Sequence, residues 1–263
     1  MPEAVSEGVR INYAERGAGE EVVVLVPGLG MSLRTWDATT EALARRYRVL
    51  VIDPRGSGES EAPDHPYTAA TVAADVGAVL DAAAVESAHL VGQSMGGMIA
   101  QDFALAAPQR VRSLTLVSTY AVTDTWSRQV LEGRRGLIAA GGLPLQFSMS
   151  VFFVFSPRAY REIGDFIAGL RARIAENPPD EAGYLRQLEF CLGHDASAGL
   201  GTVTAPTLVV AGREDFITSA IQNRELAALI PGARYEEFDD CSHGLIWERP
   251  ERFAELLLEF LDE

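Results

Sequence analysis

The chain has no lysine. All 22 of its basic residues are arginine, which excludes Schiff-base catalysis by a lysine amine. Positive charge is scarce overall: 22 arginines face 37 aspartates and glutamates, for a net charge of −15. Nucleic acids and anionic membranes are held by basic patches, so neither is expected as a partner. Cysteine is nearly absent as well. Cys191 and Cys241 stand alone and read as two free thiols in a reducing compartment, not as a disulfide framework. The most apolar runs, EVVVLVPGLG and SMSVFFVF, fall short of the ~20 residues that cross a bilayer. The first ten residues, MPEAVSEGVR, contain neither a basic nor an apolar stretch. No signal peptide is therefore expected, and the expected location is cytoplasmic. Repeats and low-complexity tracts are missing too.

What remains is the composition of an ordinary globular protein, 48% hydrophobic and 22% charged over 263 residues, enough for one large α/β domain with an insertion. Runs rich in β-branched residues at 20–26, 48–53, 88–92, 111–118 and 206–212 predict strands buried on both faces. VRINYAE alternates weakly and predicts an early, half-exposed strand, and ARYEEFDDC a last, more exposed one. Helical patterns lie between them at 33–46, 68–84, 95–106 and 220–230, with a final helix opening at Pro250, where a missing N–H costs nothing. Alternating strands and helices predict a parallel sheet covered on both faces. Residues 121–200 break the pattern with helices alone. The expected organisation is thus a core of 1–120 and 201–263 with a helical cap of 121–200, lying over the sheet edge where open α/β folds bind ligands.

The chemistry centres on LVGQSMGGMIA. Gly92-Gln93-Ser94-Met95-Gly96 fits G-x-S-x-G between a predicted strand and a predicted helix, the setting of a nucleophile elbow. A serine nucleophile needs a base, and the base needs an orienting acid. Among the four histidines, His65 lies in a proline-rich loop, His89 opens a strand and His194 reads as a cap-surface residue, with lining of the pocket as its alternative. His243, in DDCSHGLIWERPERF, falls between the last strand and the final helix. The acid is Asp215 in VVAGREDFIT, with Glu214 as runner-up and Asp195 and Asp124 weaker. The order Ser94, Asp215, His243 is that of α/β hydrolases, unlike the chymotrypsin or subtilisin order. Two N–H donors complete an oxyanion hole: Met95, directly after the serine, and Leu29 in VPGLGMS, with Gly28 and Gly30 bending the loop.

The segments VVLVPGLGMS, VLVIDPRGSGES, LVGQSMGG, PTLVVAGREDFIT and CSHGLIWERPERFAE resemble the α/β-hydrolase superfamily over essentially the full chain. Within it the chain is most similar to 3-oxoadipate enol-lactonases and cofactor-free haloperoxidase-like esterases, and its Ser-Met-Gly-Gly elbow resembles meta-cleavage-product hydrolases. The resemblance implies an eight-stranded, mostly parallel sheet with a helical cap, and a Ser-His-Asp triad working without cofactor or metal. Serine at position 94 sets the chain apart from epoxide hydrolases and haloalkane dehalogenases, whose elbow carries a carboxylate. One departure stands out: many relatives begin the oxyanion loop with His-Gly, where this chain has Pro27-Gly28. The loss of the imidazole alters the hole but leaves the Leu29 donor. In DPRGSGES, the resemblance implies a structural turn fixed by an Arg–Asp pair, not a catalytic role for Asp53 or Arg55.

Most aromatic residues of the cap are expected to form its own small core, with one face meeting Ser94. The candidate pocket residues are Gly28, Trp126, Phe147, Phe152, Phe153 and Trp247. Arg134, Arg135, Arg158 and Arg161 read as solvated, with a grip on a substrate carboxylate as the alternative. The expected partner is a small molecule, a homo-oligomer being open. The expected activity is hydrolysis of an ester or lactone through an acyl-enzyme. Carbon–carbon bond hydrolysis, lyase or cyclase chemistry in the same pocket, and ligand binding without turnover are the alternatives.

Overall fold

The computed structural model describes residues 2–263. Eight strands form one sheet: β1 (Glu3–Ser6), β2 (Val9–Arg16), β3 (Val22–Val26), β4 (Arg48–Ile52), β5 (Ala88–Gln93), β6 (Val111–Val117), β7 (Thr207–Gly212) and β8 (Arg234–Phe238). Their order is β1-β2-β4-β3-β5-β6-β7-β8, with β2 antiparallel to both neighbours and all other pairs parallel. The period of two explains the continuous apolar runs. Val22, Val24 and Val26 of β3 face one core, while Val23 and Leu25 face the other, so every residue of the strand is buried.

Helices α1 (Asp37–Leu43) and α10 (Pro250–Leu261) cover one face; α2 (Ala69–Ala82), α3 (Met95–Ala106) and α8 (Ala220–Leu229) cover the other. The α10 helix turns Phe253, Leu257, Phe260 and Leu261 inward, an i, i+4, i+7, i+8 stripe against the sheet. Reciprocal side-chain caps, Thr68 with Thr71 and Ser219 with Gln222, open α2 and α8.

Between β6 and β7 lie α4 (Thr125–Val154), α5 (Pro157–Glu162), α6 (Gly164–Glu176) and α7 (Glu181–Gly193). A bridge between Val122 and Asp195 ties the two ends of this segment together. By length and composition α4 meets what a membrane-crossing helix needs, at 30 residues and with a mean hydropathy of 1.7 over an 18-residue stretch, which the short apolar runs did not foretell. Its backbone leaves the helical region at Gly141 and Gly142, just before Pro144. Neither half reaches the ~20 residues of a bilayer span.

The sequence reading missed β1, which pairs with β2 through a two-residue turn at Glu7–Gly8, both with positive φ, the hairpin geometry whose twist suits the strands. It also made β2 half-exposed. Ile11, Asn12, Tyr13 and Ala14 are buried: Ile11 and Tyr13 face the core that α2 covers, and Asn12, on the opposite face, donates to Asp53 Oδ2 at 2.7 Å.

Candidate active site

Ser94 sits on a sharp corner between β5 and α3 with φ 57° and ψ −120°, a backbone strain that non-glycine residues rarely sustain. The neighbouring glycines are sterically required. A Cβ on Gly92 would lie 2.2 Å from the Gly96 carbonyl oxygen, and one on Gly96 would lie 2.0 Å from that of Val26. The corner is pinned by Ser94 N–H donating to Val117 O at 2.9 Å and by the Thr119 hydroxyl donating to Ser94 O at 2.9 Å. The Ser94 side chain does not cap α3; it lines a small cavity with Leu29, Met98 and Tyr120.

The loop after β3 bends back over the serine. Met31 N–H donates to Gly28 O at 3.1 Å, and Gly30 takes φ 69°, a turn whose third position demands positive φ. Gly28 is pressed so close that a Cβ there would stand 3.2 Å from Ser94 Cβ. Among the described residues neither Leu29 N–H nor Met95 N–H meets an acceptor. Met95 opens α3, where backbone donors have no intrahelical partner and the helix dipole favours negative charge.

His243 Nδ1 lies 2.9 Å from Asp215 Oδ2, both residues buried. Asp215 is itself held by three donors: Ile217 N–H and Thr218 N–H to Oδ1 at 2.7 and 2.9 Å, and the Thr218 hydroxyl to Oδ2 at 2.8 Å. Glu214 is exposed, Asp195 is exposed beside Ser197, and Asp124 caps α4, which leaves Asp215 as the carboxylate at the imidazole. Gln93 Nε2 donates to His243 O at 3.3 Å, joining the histidine loop to the strand that carries Ser94. The Ser94 hydroxyl and the His243 ring make no hydrogen bond among the described residues; such contacts are often long until substrate binds.

The histidine loop is tied to the cap. Gly244 N–H donates to Val154 O at 2.7 Å. The buried Glu248, on α9 (Leu245–Glu248), accepts from Ser242 N–H at 3.1 Å, from Ser156 N–H at 3.1 Å and from the Ser156 hydroxyl at 2.5 Å. Burial pushes its carboxyl above the usual range against these donors.

The cavity at Ser94, about 20 Å³, adjoins a larger one of about 380 Å³. Val130, Arg134 and Ile217 line both. The larger one is walled by Trp126, Leu137, Phe153 and Phe216, and Trp126 Nε1–H donates to Phe216 O at 3.0 Å across it. Sequence reasoning missed Val130 and Leu137, although with Trp126 and Arg134 they recur at i, i+4, i+8 and i+11, one helical face; Arg134, read as solvated with a grip on a substrate carboxylate as the alternative, lines both cavities.

Three expected pocket residues point elsewhere. Phe152 stacks on Tyr160 at 6.0 Å; adjacent helix positions are ~100° apart, so Phe152 and Phe153 cannot share a face. Phe147 packs edge-on against Tyr184 at 5.7 Å. Trp247 packs against Phe155 at 5.7 Å while its indole N–H donates to Thr35 O at 3.2 Å, an apolar body with a satisfied polar tip.

The remaining candidates have structural partners. Asp53 accepts from Asn12 Nδ2, Leu33 N–H and Glu59 N–H. Arg55 is buried in a two-pronged pair with Asp75, at 2.6 and 2.7 Å, so the loop-fixing aspartate lies on α2 and is not Asp53. His65 is exposed, and buried His89 bonds Ser113 Oγ at 2.8 Å. His194, expected at the cap surface, is buried 3.8 Å from Asp102. Arg135 and Arg158 pair with surface carboxylates, and Arg161 is exposed. Cys191 and Cys241 are buried free thiols whose pKa burial pushes up to about 12.

Residues 21–250 match the family model described as alpha/beta hydrolase fold. A protein of Azorhizobium caulinodans named for carbamate hydrolysis, RutD, is 34% identical over 263 residues, covering 100% of this chain and 99% of its own. The crystal structure of the enol-lactonase from Burkholderia xenovorans LB400 superposes with a TM-score of 0.91 at 29% identity, covering 100% of both chains. That of Est816, titled as an N-acyl homoserine lactone degrading enzyme, does so with a TM-score of 0.86 at 31% identity, covering 98% of this chain and 100% of its own. A Ser-bearing strained corner, an Asp–His pair at two other strand ends and these likenesses agree: the chain belongs to the α/β-hydrolase family.

Proposed function

We propose that this hydrolase cleaves a carboxylic ester or lactone by a serine mechanism. The observation that carries the reading is the convergence of Ser94 on its strained corner, the Asp215–His243 pair at 2.9 Å and two unpaired N–H donors at Leu29 and Met95. Ser94 Oγ attacks the carbonyl carbon while His243 Nε2 takes the hydroxyl proton. Asp215 holds the Nδ1–H tautomer and stabilises the imidazolium. The Leu29 and Met95 N–H groups receive the oxyanion, and His243 passes its proton to the leaving oxygen. Water, deprotonated by His243, then releases the acid from the acyl-enzyme.

The substrate in this proposal is a small molecule with an apolar body and an acidic group. The apolar body occupies the cavity under Trp126 and Phe153. The acidic group meets Arg134, which among the described residues is the one basic side chain lining both cavities. In a chain with 37 carboxylates, no salt bridge engages this guanidinium among the described residues. A carbamate carbonyl, the group named for the Azorhizobium relative, suits the same attack and is the second substrate to test.

A fluorophosphonate probe tests the reading, followed by intact mass with Ser94→Ala alongside. One adduct on the wild type and none on the variant supports it. A folded wild type that takes no adduct and hydrolyses neither p-nitrophenyl acetate nor a carbamate overturns it.

A further inference from the structure

The oxyanion loop is held by a side chain of the cap. Gln187 on α7 is fully buried. Its Oε1 accepts from Gly30 N–H at 2.8 Å, and its Nε2 donates to Arg55 O at 2.8 Å. One amide therefore joins the loops that follow β3 and β4, using both of its hydrogen-bonding ends. The helix cannot sit closer: a Cβ on Gly183 would lie 2.5 Å from Gly56 O, and one on Gly30 would lie 2.5 Å from the Tyr184 ring. Pro27 offers neither an N–H nor a polar side chain to hold the loop from within.

We propose that Gln187 is a positioning residue for the oxyanion hole, fixing the Leu29 N–H through its bond to the next peptide. This rests on the hydrolytic reading above. The Leu29–Gly30 peptide is the central unit of the turn, the one that rotates when a turn changes type. Gln187 Oε1 selects the orientation in which Gly30 has φ 69°. The Leu29 N–H belongs to the preceding peptide, which shares the Leu29 Cα with this one; without that acceptor the Cα loses its anchor, and the Leu29 donor shifts away from the developing oxyanion. The loss falls on the transition state and spares ground-state binding, so it shows in kcat and not in KM. A cap helix thereby takes part in the chemistry while touching no reacting atom.

The test measures the second-order rate of Ser94 phosphonylation by a fluorophosphonate, together with kcat and KM for p-nitrophenyl acetate, in wild type, Gln187→Met and Gln187→Glu. Thermal melts accompany each. Gln187→Met is expected to lose about 10- to 100-fold in labelling rate and kcat, the scale of a displaced donor, with KM within about threefold. Gln187→Glu, whose protonated carboxyl reproduces both the acceptor and the donor, is expected to recover toward wild type as pH falls from about 8 to about 5.5, compared at each pH. A folded Gln187→Met whose labelling rate and kcat stay within about threefold of wild type overturns the proposal. If Gln187→Met does not melt cooperatively, Gln187→Glu decides alone, and a ratio to wild type that stays equally depressed down to about pH 5.5 overturns it. These outcomes are separable from failure of the hydrolytic reading, in which the wild type itself takes no label.

Discussion

Replacing Asp215 by Asn should be more damaging than deleting its side chain, and the reason lies in the carboxylate's donors. Oδ1 accepts from Ile217 N–H and Thr218 N–H at 2.7 and 2.9 Å. An asparagine must present its carbonyl oxygen to those two donors, since its NH₂ there would leave buried donors facing donors at ~1–3 kcal/mol each. The NH₂ then occupies the place of Oδ2, 2.9 Å from His243 Nδ1, and donates to it. Nδ1 becomes an acceptor, the ring proton moves to Nε2, and the imidazole cannot take the Ser94 proton. The same misassignment elsewhere costs about 10⁴ in turnover, or ~5 kcal/mol on the barrier. With Asp215→Ala the ring can keep Nδ1–H, because the Thr218 hydroxyl, 3.3 Å away, is free to accept it. The assay is kcat on p-nitrophenyl acetate, with the fluorophosphonate labelling rate alongside and a melt to show that the fold survives. An Asn variant within about tenfold of wild type, or one more active than Ala, would refute the tautomer argument.

Ser94→Gly should abolish turnover yet be more stable than Ser94→Ala by ~1–3 kcal/mol, read by urea denaturation, because only glycine accepts φ 57° without strain. Asp75→Asn strands the buried Arg55 guanidinium and should cost ~3–5 kcal/mol in the same measurement. Burial pushes the Asp102 carboxyl up to about 7, so its contribution to stability is full below its unfolded pKa near 4 and is lost as pH rises through about 7. Asp102→Asn removes that loss: its stability relative to wild type should grow between pH 5 and 8 by up to ~3 kcal/mol, about two pK units at ~1.4 kcal/mol each. The neighbouring His194, pushed down to about 4 by burial, contributes with the opposite sign, gaining as pH rises toward 6.5. Because it lies 3.8 Å from Asp102, the comparison is repeated in a His194→Gln background; a pH-independent difference there would place the Asp102 proton elsewhere.

The sheet was legible because its information is local. A strand buried on both faces must be apolar at every position, and β3 through β7 announce themselves that way; β1, four residues at the edge, carries no such run. The elbow was legible for a related reason: the close approach of β5, α3 and β3 admits only glycine at 92 and 96, and steric exclusion leaves a sequence pattern. Asp215 and His243 could be placed at strand ends once the strands were known. The cap resisted the same treatment, because which face of a helix meets the site depends on its rotation about its axis. That phase is set by contacts such as Gly183 on Gly56 and Tyr184 on Gly30, between residues far apart in the chain. Phe152 and Phe153 are equally apolar, and only the phase sends one to the cavity and the other to Tyr160. Gln187 was invisible on the same grounds: in RQLEF it reads as an ordinary helix former, and its value arises only where two loops of the sheet leave an N–H and a carbonyl for one amide to join. Local patterning thus announces the residues placed for the chemistry, while the surroundings that aim them are written in distances between segments.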